Sequence, residues 1–131
     1  MVDQERLQDQ VSTYADHLQE PVNRKDIFFL ISGKAGEEDL LLRLYDSMKK
    51  HPRCQEYSIH CAVTGADAKM KRWCRQRGIA LIPWEGKEYL RLLATSAYLL
   101  SDVTLPIYFM RRQEQSYWAL GVIRDAAARR R

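Results

Sequence analysis

A parallel α/β sheet flanked by helices is the fold class this sequence predicts, on three observations. Segments of strand length alternate with segments of helical periodicity along the chain. Two of the strand segments, "DIFFLIS" and "AYLL", carry apolar runs without polar alternation, as expected where helices cover both faces of a sheet. The connections are too short for a sandwich, and strand–helix–strand alternation implies right-handed parallel crossovers.

Taken in order, "ERLQDQVSTYADHLQ" repeats Leu7, Val11, Tyr14 and Leu18 at three- and four-residue spacing, an amphipathic helix closed by Pro21. Its polar face is acidic, which favours packing on protein over lying on a membrane. "DIFFLIS" gives a first strand over 27–32, and "GKAG" turns the chain. "EEDLLLRLYDSMKK" reads as a helix with acids in its first turn and Lys49-Lys50 in its last, both suited to the helix dipole. His51-Pro52 stops it. "EYSIHCAVTG" alternates Tyr57, Ile59, Cys61 and Val63 as a second strand over 57–63. "DAKMKRWCRQRG" is a helix with Asp67 as N-cap and Gly78 as its stop. "IALIPW" predicts a third strand over 79–83, "GKEYLRLLATS" a helix, "AYLLSD" a fourth strand over 97–101 and "SYWALGVI" a fifth. The sum is a Rossmann-like, three-layer arrangement of about five parallel strands. We divide the chain into an N-terminal helix (1–20), one α/β domain (21–123) and a basic tail (124–131).

Composition bounds the function. With 131 residues and 46% apolar side chains the chain can bury a core of one domain. Nothing in it approaches the ~18 consecutive apolar residues of a spanning helix, and the polar start "MVDQERLQDQ" is no secretory signal. Cys54, Cys61 and Cys74 are odd in number and lack metal-ligand spacing, so they read as reduced, mostly buried thiols and point to a cytoplasmic protein. The net charge of +4 divides into −4 over residues 1–20, +5 over 21–123 and +3 in the tail. The body therefore favours anionic partners.

The chemistry-bearing residues are few. "SGKAGEED" puts Gly33, Lys34 and Gly36 after a strand and before a helix, where α/β sheets bind ligands. It is neither GxxxxGK[ST] nor GxGxxG, and Glu37, Glu38 and Asp39 would repel a phosphate. It reads as a plain turn or as a phosphate cradle. In "KMKRWCRQR", Lys69, Lys71, Arg72, Arg75 and Arg77 surround Trp73, which suits either a polyanion surface or a solvated basic face. Met70, Trp73 and Cys74 share the face that would dock on the sheet. Asp102, just after the fourth strand, is the best-placed carboxylate; it can serve a ligand or cap the next turn. His60 reads as a satisfied core or strand-face residue, and no nucleophile–base pair, metal set or paired acid stands out.

From Ile27 to about Gly121 the chain resembles the N-terminal domain of the CDP-glycerol glycerophosphotransferases of teichoic acid synthesis. "FFLISGKAGEEDLLLRLYDSMKKHPR" is similar to that family's strand, Gly-Lys turn and helix, and "EYSIHCAV" to its second strand. "RGIALIPWEGKEYLRLLATSAYLLSDVTLPIYFMRRQEQSYWALG" is the strongest block. It has the family's order of basic-Gly strand, Tyr-Leu-x-x-Leu-Ala-Thr helix, Ser/Asp turn, Leu-Pro-x-Tyr-Phe stretch and Gln-x-Tyr lead. Two departures stand out. The family's Gly-Lys-loop Asp and Pro are Glu38 and Leu40 here. "QSYWALG" lacks the His of Trp-His-Gly, the family's expected general base, and is shorter between Tyr117 and Gly121.

The resemblance implies the N-terminal half of a GT-B-type architecture, and an acceptor-side domain in which Gly33, Lys34, Asp102 and Pro106 contact the acceptor. It implies no catalytic residue, metal or cofactor in this chain. Its partners would be an anionic polymer or lipid-linked acceptor and a chain carrying the nucleotide-binding domain, in the cytoplasm or against the inner membrane face. The expectation is thus a truncated or standalone transferase domain, inactive alone. The alternative is a non-enzymatic module holding an anionic polymer or a protein partner, with Lys69, Arg72 and Arg75 as its anion-binding surface.

Overall fold

The structure is a computed structural model, and it describes residues 2–33 and 39–119. Its elements are α1 (Val2–His17), β1 (Asn23–Ser32), α2 (Leu40–Lys50), a 3-10 turn (Pro52–Cys54), β2 (Ser58–Thr64), α3 (Ala68–Gln76), α4 (Lys87–Thr95), β3 (Ser96–Ser101) and β4 (Ser116–Ala119). The four strands form one parallel sheet in the order β2-β1-β3-β4. This is the expected Rossmann-like α/β arrangement.

The apolar run of β1 explains why it lies at the centre. Ile27, Phe29 and Ile31 face one side and meet Leu41, Leu42 and Tyr45 of α2 with Met70 and Cys74 of α3. Phe28 and Leu30 face the other and meet Tyr14 of α1 and Tyr89, Leu90 and Leu93 of α4. Both sides are filled, so a polar residue at any of the five positions would be buried unpaired. The N-terminal helix α1 is part of this core, since Tyr14 is 2% exposed. Its hydroxyl donates to the Met110 carbonyl at 3.2 Å and accepts from the Met110 N–H at 3.0 Å.

The expected third strand over 79–83 is reduced to a single parallel bridge, Cys61 to Leu81. The Ile82 N–H donates to the Cys61 carbonyl at 2.8 Å, and the next residue, Pro83, has no N–H with which to continue a ladder. The chain leaves the sheet there. The expected acids in the first turn of α2 are also displaced. The helix begins at Leu40 and Asp39 is its N-cap, accepting from the Leu42 N–H at 3.0 Å. Asp67 caps α3 as expected, accepting from the Met70 N–H at 2.8 Å, and Gly78 follows that helix with φ of +71°. Gly36, Glu37 and Glu38, the end of the fifth strand and the basic tail lie outside the described residues.

Candidate functional site

The chain leaves β1 toward β2 over one face and leaves β3 toward β4 on the opposite side, so the carboxyl ends of β1 and β3 form the topological switch point where such sheets open a crevice. Gly33 and Asp102 stand at that point, as expected of strand-end residues. A Cβ on Gly33 would lie 2.8 Å from the Gly65 carbonyl oxygen and 2.9 Å from that of Thr64. Glycine there lets the turns after β1 and β2 touch. Asp102 Oδ1 accepts from the Ser32 N–H at 2.7 Å, tying the end of β3 to β1. The turn after β3 is held instead by Ser101, whose hydroxyl accepts from the Val103 N–H at 3.0 Å and donates to the Val103 carbonyl at 2.8 Å. Of the two roles read for Asp102, capping the next turn therefore falls to its neighbour.

Asp39 completes this group, which sequence reasoning missed when it found no paired acid. Asp39 is 5% exposed, and its carboxyl lies near enough to that of Asp102 to feel its charge. Burial first, then this neighbour, pushes Asp39 up to about 6. A carboxyl that titrates at about 6 can shuttle a proton in principle. At this depth each has a structural task instead, Asp39 capping α2 and Asp102 tying β3 to β1. The missing signal was long-range: residues 63 positions apart meet only because β1 and β3 are neighbours.

A second concavity lies at the same sheet edge, beyond β2. It has a volume of about 580 Å³ and is lined by Val63, Gly65, Ala66, Lys71, Arg75, Ile79, Leu81, Ile82, Pro83 and Trp84. Of the three cations singled out from sequence, Arg75 lines it, while Lys69 and Arg72 are exposed and are not among its described lining residues. Lys71, one turn before Arg75, takes the second place. Arg77 is engaged elsewhere, over the Trp73 ring at 4.5 Å and paired with Asp46 at 3.1 Å.

Lys34 lies outside the described residues. Pro106 is half-buried, and its carbonyl accepts from the Phe109 N–H at 3.0 Å. The stretch around it packs on α1, with the Tyr108 and Tyr14 ring centres 5.4 Å apart. Of the core and face positions read for His60, it takes a half-buried place on the strand. Its Nε2 lies 3.8 Å from Asp26 Oδ1, and burial lowers its pKa and raises that of Asp26. Burial likewise raises the Cys61 and Cys74 thiols, which makes them poor nucleophiles. Among the described residues no group of three or more His, Cys, Asp or Glu is placed to hold a metal ion, and no helix is long and apolar enough to cross a membrane.

Fold and site together define a Rossmann-like α/β domain with its polar residues gathered at the carboxyl edge of the sheet. No family model and no curated protein matches the chain. Among solved structures it is similar to the wall teichoic acid polymerase TagF, at 16% identity and a TM-score of 0.59. That likeness covers 89% of this chain and 29% of the polymerase, so the chain spans under a third of that protein's length. At this identity the likeness bears on the fold.

Proposed function

We propose that this chain is the acceptor-side domain of a teichoic acid polymerase-like glycerophosphotransferase, with the acceptor in the crevice at Gly33, Lys34, Asp102 and Pro106. The observation that carries the reading is the agreement of two likenesses, one of motif and one of fold. The ordered motifs of residues 27–121 resemble the CDP-glycerol glycerophosphotransferases, and the fold over 89% of the chain is similar to a wall teichoic acid polymerase.

Glycerol phosphate transfer needs an acceptor hydroxyl, a base to activate it and donors to stabilise charge on the transferred phosphate. The segment "QSYWALG" carries no histidine in the position of the family's base, and the reading leaves the nucleotide-binding half to sequence or a partner chain outside these 131 residues. The domain alone then binds acceptor without turning over CDP-glycerol. It would work in the cytoplasm, peripheral to the inner membrane face.

The test is a titration of labelled poly(glycerol phosphate) against single-stranded nucleic acid at low and moderate salt, with CMP release measured in parallel. Preference for the glycerol polymer, weakened by Lys34→Glu, is expected, with no CMP release above background. Equal affinity for both polymers would replace this reading with nonspecific electrostatic binding. Turnover of CDP-glycerol would overturn the inactivity.

A further inference from the structure

The concavity beyond β2 has a construction of its own. Its first wall is α3, where Lys71 and Arg75 are four residues apart and therefore on one helical face. Its second wall is the segment that leaves the sheet after Leu81, bringing Pro83 and Trp84 across from the helix. No carboxylate is among the described lining residues. The N-terminus of α3 is already satisfied by Asp67, so an anion here would be held by side chains and not by the helix end.

Two backbone features maintain this shape. Glu85, next to Trp84, has φ of +62°, a left-handed conformation that is costly for a residue with a Cβ. It is held where the Trp84 ring packs on Tyr89, their centres 5.0 Å apart. Gly65, on the floor side, has φ of +70°, and a Cβ there would meet nothing within 4 Å. Backbone conformation calls for glycine at that position, and the space above it stays open.

Like charges four residues apart on a helix repel each other, and a bound dianion would relieve that repulsion. A phosphate fits the pair, since Arg offers a planar fork of donors and Lys a point charge. Inorganic phosphate would leave the opposite wall uncovered, because Leu81, Pro83 and the Trp84 ring present apolar surface. We propose that this pocket binds a phosphate ester, its phosphate between Lys71 and Arg75 and an apolar or aromatic organic group against Trp84 and Pro83. The proposal stands on the pocket and is independent of the acceptor-domain reading.

The experiment titrates inorganic phosphate, butyl phosphate and phenyl phosphate into the full chain, following the indole N–H of Trp84 by NMR with Trp84→Phe for assignment. At least one of the two esters should bind about tenfold or more tightly than inorganic phosphate, and which ester does so separates an aliphatic from an aromatic ligand. The shift should be confined to Trp84, leaving Trp73 and Trp118 in place. The Lys71→Ala/Arg75→Ala variant alters two exposed side chains and should melt like the parent while losing the binding. Equal affinity for all three probes, binding retained by the double variant, or no Trp84 shift at millimolar ester would each overturn the proposal. None of these results bears on poly(glycerol phosphate) binding through Lys34, so the two readings fail separately.

Discussion

Two regions of one sheet edge differ in how their charges are used. At the switch point the polar groups are already engaged: Asp102 accepts from Ser32, Asp39 caps α2, and the two carboxyls are close neighbours. Beyond β2, Lys71 and Arg75 line an open concavity whose described walls carry no carboxylate. At the position that fold topology favours for a ligand, one oxygen of Asp102 already holds β1 and one of Asp39 caps α2. The neighbouring position has side chains to spare. Ligand capacity in an α/β sheet therefore depends on which polar atoms at the strand ends are left to offer, as well as on strand order.

The strongest way to break the comparison is to push the two regions apart where they touch. Gly33→Ala sets a Cβ against the Thr64 and Gly65 backbone at 2.8–2.9 Å, and backbone cannot step aside as a flexible side chain can. We expect a loss of about 1–3 kcal/mol, the usual cost of overpacking, seen as a lower denaturant midpoint. Gly65→Ala meets open space and suffers only the left-handed φ, at about 1–2 kcal/mol. A larger loss at Gly65 than at Gly33 would show that the close approach is not what selects the first glycine.

Next in size is Asp102→Ala. It removes a hydrogen bond to a charged acceptor, worth about 1.5–3 kcal/mol, and the loss is partly offset because Asp39 no longer faces a second carboxyl. Asp102→Asn keeps an oxygen for the Ser32 N–H and also relieves Asp39, so it should be at least as stable as the parent at pH 7. If both substitutions destabilise equally in urea melts, the latch between β3 and β1 is not the role of this residue.

The acid pair also sets a pH dependence. Asp39 is raised from 3.8 to about 6 in the folded state, so ionising it costs the fold. The sign follows: stability is highest below the unfolded value and falls as pH rises from about 4 to about 6, with the lower level persisting above. Asp39→Asn retains a good N-cap and removes the titration. It should be more stable than the parent at pH 7, by on the order of 1 kcal/mol, and show little difference near pH 4. A parent whose stability climbs across that window would sink the assignment.

Much of this fold was legible in the sequence because its signals are local. The apolar run of β1, the Asp67 cap and the His51-Pro52 stop each act within a few residues, and each appears where expected. The third strand failed for a reason also present in the sequence, since Pro83 cannot donate to a ladder and leaves only the Leu81 bridge. The site was less legible. Asp39 and Asp102 are brought together by strand order, and nothing in the local sequence of either points to the other. Gln115 is similar. Read as the first residue of a Gln-x-Tyr lead, it is 1% exposed and donates to the Leu93 and Ser96 carbonyls at 3.0 and 2.9 Å, joining α4 to the approach of β4. Basic residues of α3 were visible as a group, but which of them face the pocket depends on where the chain goes after Leu81.

The smallest expected effect tests the open side of the comparison. Lys71 lies early in α3, where a positive charge opposes the helix dipole, and four residues before Arg75, which repels it. It is exposed and bounds a cavity, so little packing is lost when it is shortened. Lys71→Gln should therefore leave stability unchanged or raise it by about 0.2–0.5 kcal/mol. The gain should shrink as salt screens the repulsion. Arg75→Gln is the control, because Arg75 sits in the last turn, where the dipole favours a cation and offsets the relieved repulsion. A gain at Lys71 that exceeds the gain at Arg75 at low salt and fades with added salt is the expected pattern in thermal melts. A clear loss at Lys71 would mean that its charge is already engaged by the fold, and the contrast with the partnered acids at the switch point would disappear.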